Sequence, residues 1–222
     1  MSLLLRLVYF AMPAAILLAF LWAPPVAVLG ETGRIIYFHV PSAWVSVLAF
    51  LAAGIFSVIY IAKPGRYSML DSKAENAVLI GIIFTIVTLV SGSVWAKLSW
   101  GSFWNWDPRQ TSIVILLLVY VAYISLRSSL ADNPSIGRIS SAYLVFALFL
   151  MPLFIFVVPR IYPSLHPDPI INPGGKVNLD SEIQLTLLVS MFAFTLLFFY
   201  LWSLTNRVSE LRRQVEENKY EL

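Results

Sequence analysis

The chain has 222 residues, of which 59% are hydrophobic and 12% charged, and its mean hydropathy is +0.80 with a formal net charge of +3 at pH 7. A soluble globular domain has about 45–50% apolar and about 25% charged residues, so the composition excludes one and predicts a polytopic membrane protein. The chain contains no cysteine, which excludes disulfides, thiolate metal sites, thiol catalysis and thioether attachment of a cofactor. The small positive charge is spread over loops and the C-terminal tail, so it indicates topology and not a nucleic-acid surface.

Six apolar runs follow one another along the chain, each near the ~20 residues needed to cross a hydrocarbon core. In lipid every backbone N–H and C=O group must be paired within its own segment, so the runs are predicted to be helices. The prediction is an all-α, six-transmembrane-helix bundle that forms a single domain over residues 1–222. The predicted spans are 7–29, 43–62, 77–96, 112–130, 139–159 and 183–204. The first is longer than the apolar core of a signal peptide and lacks a clear cleavage site, so we expect a retained helix.

Prolines and charges refine these helices. Pro41 and Pro64 are predicted to open and close the second helix, whereas Pro13 and Pro152 fall inside runs and should kink them. Residues 206–222 alternate in charge and are predicted to continue as a helical tail, with i,i+4 pairs such as Arg212–Glu216.

The distribution of lysine and arginine predicts the orientation. One side of the bundle would carry ten of these residues and the other five, and the richer side is normally cytoplasmic. Both termini are therefore predicted to be cytoplasmic, and the external side would hold segments 30–42, 97–111 and 160–182. The ten are Arg6, Lys63, Arg66, Lys73, Arg127, Arg138, Arg207, Arg212, Arg213 and Lys219, and the five are Arg34, Lys97, Arg109, Arg160 and Lys176. Both histidines of the chain, His39 and His166, fall on the external side.

An external stretch with three tryptophans, Trp100-Gly101-Ser102-Phe103-Trp104-Asn105-Trp106-Asp107, lies between the third and fourth runs. Indoles at a membrane boundary commonly anchor a protein in the headgroup layer. Three indoles, a glycine and a carboxylate in so short a stretch also suit a flat apolar platform for a large planar ligand. Gly101 would let the backbone turn between bulky rings, and Asp107, just before a proline, is predicted to cap the next helix.

The two histidines suggest a metal-bearing ligand. A lone interfacial histidine is usually a hydrogen-bonded structural residue, but two on one face make paired ligation comparably plausible, and imidazole is a standard axial ligand of haem iron. A porphyrin would place the indoles against the macrocycle, His39 and His166 on opposite faces of the iron, and arginines on the propionates. The candidate propionate partners are Arg34, Arg109 and Arg160.

Other site chemistries fit the residues less well. A zinc site would need His39 and His166 completed by carboxylates such as Asp107 and Asp168. A Ser102–His39–Asp107 triad lacks a nucleophile elbow around its serine. No Walker pattern occurs in the sequence, so the chain is not expected to hydrolyse ATP.

The tryptophan stretch also carries a resemblance to a known family. Trp100-Gly101-x-x-Trp104-x-Trp106-Asp107 matches, at every defined position, the WGxxWxWD signature of the haem-handling proteins of cytochrome c maturation. The segment from Tyr37 to Trp44 resembles the first external loop of the CcmC family. Two histidines and six helices favour that branch over the longer CcmF and CcsA/CcsB branches.

The resemblance implies a haem-handling protein and not an enzyme. It implies that haem b is held transiently on the external face of a bacterial inner membrane and loaded onto the haem chaperone CcmE, beside the ABC subunits CcmA and CcmB and the small membrane protein CcmD. It further implies axial ligation by His39 and His166 and haem contact by Trp100, Gly101, Trp104, Trp106 and Asp107. The alternatives are a permease subunit of a haem ABC transporter, a CcsA- or CcmF-like haem lyase component, or a scaffold subunit whose aromatics only form a belt.

Overall fold

A computed structural model describes residues 3–26, 29–63, 69–166 and 179–220, and these are almost entirely helical. The α-helices are α1 (Leu3–Leu17), α2 (Ile36–Ala62), α3 (Met69–Trp100), α4 (Pro108–Ser129), α5 (Ile136–Pro152), the short α6 (Val158–Ile161) and α7 (Ser181–Tyr220). A π-helical turn, Leu18–Trp22, extends α1, and a second one, Leu153–Val157, joins α5 to α6. A 3-10 turn, Glu31–Ile35, leads into α2.

Six helical segments of the described residues are long and apolar enough to cross a membrane, which confirms the predicted all-α architecture. They are Leu3–Trp22, Glu31–Ala62, Met69–Trp100, Pro108–Ser129, Ile136–Ile161 and Ser181–Lys219. Their bounds differ from the predicted spans, because several helices run past the apolar residues that the sequence marks. The first, by contrast, ends at Trp22 and not at residue 29.

The prolines act inside helices as well as at their ends. Pro41 lies within α2, so the prediction that it opens this helix was wrong. The 3-10 turn and the first residues of α2 already supply helical structure before it. Pro152 is followed at once by the π-helical turn Leu153–Val157, in line with the predicted distortion, since a proline removes one helical hydrogen bond and π-turns accommodate such breaks. Pro64 lies outside the described residues.

The helix α2 lies at the centre of the bundle and packs against α3, α5 and α7. Phe50 of α2 stacks on Tyr120 of α4, with ring centroids 3.5 Å apart and planes 3° from parallel. A Cβ atom built on Gly81 of α3 would lie 2.5 Å from the Phe50 ring, so a glycine is required for this close approach. Small residues at contacts of this kind let membrane helices pack where lipid gives no hydrophobic drive.

A buried ion-pair cluster ties α4 to the first turns of α3. Two Arg127 nitrogens donate to the two Asp71 carboxylate oxygens, at 2.9 and 2.7 Å, and Arg127 Nε lies 2.9 Å from Glu75 Oε1. The side chains of Arg127 and Asp71 are only 13% and 14% exposed. This cluster occupies the end of the bundle at which α3 begins.

The helix α7 is also joined to α3 near that end. Asn76 Nδ2 donates to Asn206 Oδ1 at 2.9 Å and to Ser209 Oγ at 3.0 Å, and Trp202 Nε1 donates to the Lys73 carbonyl at 3.0 Å. The predicted tail is a direct continuation of α7 as far as Tyr220. Its ion pair in the described residues is Arg213–Glu217, at 3.7 Å, and not the predicted Arg212–Glu216.

Candidate functional site

A cavity of about 350 Å³ lies at the opposite end of the bundle from the ion-pair cluster. Its walls come from the start of α2, the end of α3, the start of α4 and the π-helical turn that follows α5. Most of its lining is aliphatic or aromatic, with a few polar groups among them. It brings together four residues that the sequence analysis singled out: His39, Trp100, Arg109 and His166.

His39 lies in the first turn of α2 and not on the external loop that the sequence suggested. Its Nδ1 is 3.0 Å from Ser91 Oγ on α3. The Ser91 hydroxyl has a single proton and donates it to the Val87 carbonyl at 2.7 Å, so Oγ accepts from the imidazole. This geometry assigns the proton to Nδ1 and leaves the lone pair on Nε2, which is the arrangement that a metal-ligating histidine needs.

Gly92, the residue after Ser91, provides the space for the imidazole. A Cβ atom at this position would lie 2.8 Å from His39 Cε1 and 3.4 Å from Nδ1. No side chain can be accommodated there unless the ring moves. The pair Ser91-Gly92 therefore fixes both the orientation and the position of His39 against α3.

His166 is held by contacts from α3 and α4. Its Nδ1 lies 2.6 Å from Arg109 Nη1, and its ring centroid is 5.6 Å from that of Trp95. A guanidinium can only donate hydrogen bonds, so Nδ1 accepts in this arrangement. Gly92 and Trp95 are three residues apart, roughly 4.5 Å along the α3 axis. The two imidazoles thus contact α3 about one turn apart.

Asp107 connects the tryptophan stretch to the segment that carries His166. One of its oxygens accepts from the Arg109 backbone N–H at 2.9 Å and caps α4, as the sequence predicts. The other accepts from Ser164 Oγ at 2.8 Å and from the Leu165 N–H at 2.7 Å. Asp107 is 3% exposed. Asp107 is therefore a buried tie between two segments, and no direct contact with a ligand is needed to explain it.

The indoles of the predicted platform separate into two pairs. Trp95 and Trp100 pack edge to face, with centroids 4.9 Å apart, and both line the cavity. Trp104 and Trp106 form a second edge-to-face pair at 5.6 Å, outside the cavity lining. Trp106 is 77% exposed, and its φ of 55° is a left-handed backbone conformation that is rare for a tryptophan.

The loop between α3 and α4 is stabilised by its own polar groups. Gln110 accepts from the Asn105 N–H at 3.0 Å and donates to the Phe103 carbonyl at 3.1 Å. Lys97 Nζ donates to the Gly101 carbonyl at 2.8 Å, and Gly101 has a positive φ of 82°, in keeping with the predicted tight turn.

Two of the three predicted propionate partners are engaged elsewhere. Arg34 pairs with Glu31 and donates to the carbonyls of Ala19 and Ala23, which fastens the start of α2 to the end of the first span. Arg160 donates to the Phe156 carbonyl at 2.8 Å. Arg109 is the member of this set that lines the cavity.

The structure gives little support to the other chemistries. The described residues contain no group of three or more His, Asp or Glu side chains placed to hold a metal ion, and Asp168 lies outside them. Ser102 Oγ donates to the Trp104 carbonyl at 3.0 Å, which does not suit a nucleophile paired with His39.

The sequence analysis did not identify several residues that position the groups of this site. They are Ser91, Gly92, Gln110 and Ser164. A serine followed by glycine inside an apolar helix is a detectable signal, because glycine weakens a helix by about 1 kcal/mol relative to alanine and usually has a packing reason. Nothing in the local sequence pairs Ser164 with Asp107.

Comparison with known proteins shows consistent similarity to one family. A model of the family "heme exporter protein C" (CcmC) matches residues 1–221. Heme exporter protein C of Bradyrhizobium diazoefficiens is 34% identical over 191 residues, which cover 84% of this chain and 70% of that protein. A putative cytochrome c biosynthesis ccmC-like mitochondrial protein of Marchantia polymorpha is 34% identical over 193 residues, covering 87% and 78%. Heme exporter protein C of Escherichia coli K12 is 31% identical over 170 residues, covering 76% and 66%.

Proposed function

Because the chain belongs to the CcmC family of heme exporter proteins of cytochrome c biogenesis, we propose that its cavity holds haem as cargo, with His39 and His166 as axial ligands of the iron. The observation that carries the proposal is that both histidines of the chain line one apolar cavity at one end of the bundle. Haem iron accepts imidazole ligands, and a porphyrin needs apolar walls.

The two histidines differ in their readiness to bind iron. The hydrogen bond to Ser91 leaves the lone pair of His39 on Nε2. In His166 the Arg109 guanidinium occupies Nδ1, so a neutral ring carries its proton on Nε2. Ligation of iron through Nε2 therefore requires Arg109 to leave Nδ1. A haem propionate is a carboxylate to which the guanidinium can turn, so cargo entry and release of His166 would be coupled.

The proposal places the cavity on the external face of a bacterial plasma membrane, with both termini cytoplasmic. The excess of lysine and arginine at the other end of the bundle supports this orientation. Trp104 and the exposed Trp106 lie in the loop that follows Trp100, the last residue of α3 and a residue of the cavity lining, and we infer that an incoming protein can meet them there. We infer that this pair presents the cargo to the haem chaperone CcmE, and that the chain works beside CcmA, CcmB and CcmD.

The histidines provide the direct test. The purified protein loaded with haem should show the absorption bands of low-spin, bis-imidazole iron. His39→Ala and His166→Ala should each remove these bands and lower the haem content, because one axial ligand is lost. Arg160→Ala, at a residue outside the cavity, is the matched control and should keep the spectrum. An unchanged low-spin spectrum in either histidine variant would overturn the ligand assignment.

A second test separates haem binding from haem transfer to the chaperone. Trp104→Ala combined with Trp106→Ala should leave the haem content close to that of the parent protein, because neither indole lines the cavity. The rate of haem transfer to purified CcmE should fall. Trp44→Phe, at an indole that donates to Thr195 elsewhere in the bundle, serves as the control. Unimpaired transfer in the double variant would show that these indoles are membrane anchors only.

A further inference from the structure

The last part of α7 carries an apolar stripe that is about half exposed. Leu204, Val208, Leu211 and Val215 are spaced by four, three and four residues, the repeat of a helix-pairing seam. Their side chains are between 42% and 56% exposed. We call these four residues the tail seam.

The tail seam lies on a different side of α7 from its hydrogen bonds to α3. Trp202, Asn206 and Ser209 are the residues of this region that bond to α3. At about 100° per residue, the seam is centred roughly 160° from them around the helix. The tail seam is therefore a second face of the tail, separate from the face that bonds to α3.

The membrane does not explain this stripe. The apolar run of α7 ends near Leu204, and Arg207 is the first charged residue after it. Val215 lies roughly 16 Å further along the helix axis, whereas the headgroup layer on one side of a bilayer is about 5–8 Å thick. Leu211 and Val215 thus project into water beyond the headgroups, on the side opposite the cavity.

The flanks of the tail seam are basic. Arg207, Arg212 and Lys219 occupy the positions that border the stripe in a heptad repeat, while Glu210, Glu216 and Glu217 lie further round the helix. Within the described part of the tail the ion pair is Arg213–Glu217, so the three bordering cations are not neutralised by ion pairs there. The stripe and its borders form an apolar line between cationic edges.

We propose that the tail seam is the docking site for an amphipathic helix of another protein, whose apolar stripe is bordered by Asp and Glu. A second copy of this chain does not fit. Copies inserted in one orientation would pair their α7 helices in parallel, which would set Arg207 of one copy against Arg212 of the other. Like charges at these positions oppose pairing, whereas acidic borders on a partner would complement all three cations.

The predicted preference for a helix with acidic borders can be tested on the full-length protein in nanodiscs of zwitterionic lipid. The probes are two labelled synthetic helices with Leu and Val in the heptad seam, one with Glu and one with Lys at the bordering positions. The acidic helix should bind at least about tenfold more tightly, because the interfacial charges select the partner. The variant R207E/R212E/K219E should invert this preference, and E216Q/E217Q should keep it. Equal binding of the two helices, or a preference that charge reversal does not change, would overturn the proposal.

Crosslinking in cells identifies the molecule that binds the tail seam. The chain has no cysteine, so Leu211→Cys can carry a single photo-crosslinker, with Glu217→Cys as the control on another face. The expected adduct from position 211 is a different polypeptide whose crosslinked peptide has a heptad stripe bordered by Asp or Glu. An adduct of twice the chain's own mass, an adduct with lipid only, or no adduct would each overturn it. None of these results depends on haem, so the outcome is separate from that of the proposed function.

Discussion

Two adjacent residues of α3, Ser91 and Gly92, orient His39, the proposed iron ligand. Ser91 Oγ accepts a hydrogen bond from Nδ1–H and so sets the tautomer, while Gly92 leaves room for the ring beside α3. Residues that hydrogen-bond the second nitrogen of a ligating histidine commonly change metal affinity by about 10–100-fold. The orientation of His39 is thus set by α3, the helix it packs against, and not by α2, the helix that carries it.

The hydroxyl of Ser91 can be removed without disturbing the fold. Ser91→Ala should lower haem affinity by about tenfold, because His39 then loses the Ser91 hydroxyl that accepts from its Nδ1–H. Ser93→Ala is the matched control, since Ser93 also lines the cavity and has no hydrogen bond to His39. Titration of the purified apoprotein with haem, followed by absorption, measures both. Equal affinities of the two variants would show that Ser91 does not orient the ligand.

Individual residues of the site were unevenly predictable. The sequence places His39, His166 and Trp100 on one side of the membrane, because hydrophobic runs fix the side on which each connecting segment lies. The sequence could not show that Trp100 lines the cavity while Trp106 lies outside it, since this difference depends on the left-handed backbone at Trp106. It could not show that Arg34 bonds to the carbonyls of Ala19 and Ala23 at the end of the first span, because that contact joins separate segments.

The loop between α3 and α4 and the segment that carries His166 act as one unit through Asp107. Asp107→Ala should remove the cap of α4, which is worth about 1 kcal/mol, and also release the two donors at Ser164 and Leu165. We therefore expect a lower melting temperature and weaker haem binding, because His166 is less well placed. Thermal unfolding in detergent and haem titration measure the two effects.

Ser164→Ala provides the comparison for this variant. It removes one of the donors to Asp107 but keeps the cap of α4. It should lower haem affinity with a smaller change in melting temperature. If Asp107→Ala lowered the melting temperature and left haem affinity unchanged, Asp107 would be a helix cap only.

The helices themselves were well predicted, and their ends were not. Lipid requires helices for each long apolar run, so their existence and order follow from hydropathy alone. The ends depend on polar side chains that find partners in other elements. Asp71 and Glu75 allow α3 to begin well before residue 77, because Arg127 of α4 neutralises them. Pro41 is accommodated inside α2 because a 3-10 turn precedes it.

On the scale of the whole molecule, the site and the ion-pair cluster stand at opposite ends of α3. Asp71 and Gly92 are separated by roughly 30 Å of helix, close to the thickness of a hydrocarbon core. The cavity end holds hydrogen bonds that orient imidazoles, and the other end holds a buried guanidinium that joins two helices. Stability and cargo binding should therefore respond to different substitutions.

Arg127→Met tests this separation. It leaves the buried Asp71 carboxylate without its partner, which should cost about 3 kcal/mol of unfolding free energy. Adding Asp71→Asn should recover part of the loss, because the unpaired charge is removed. Chemical unfolding in detergent measures the change, and haem titration of the folded protein should give the parental affinity. A large loss of haem affinity in the folded single variant would contradict the separation.

The narrow gap at Gly92 also bears on attempts to engineer the protein. Alanine within a helix is favoured over glycine by about 0.5–1 kcal/mol, so a screen for heat-resistant variants would reward that exchange as soon as the neighbouring ring swung aside. The more stable variant would bind the proposed haem cargo more weakly, because its His39 ring would be displaced. At position 92, alanine would therefore favour thermal stability and glycine would favour cargo binding.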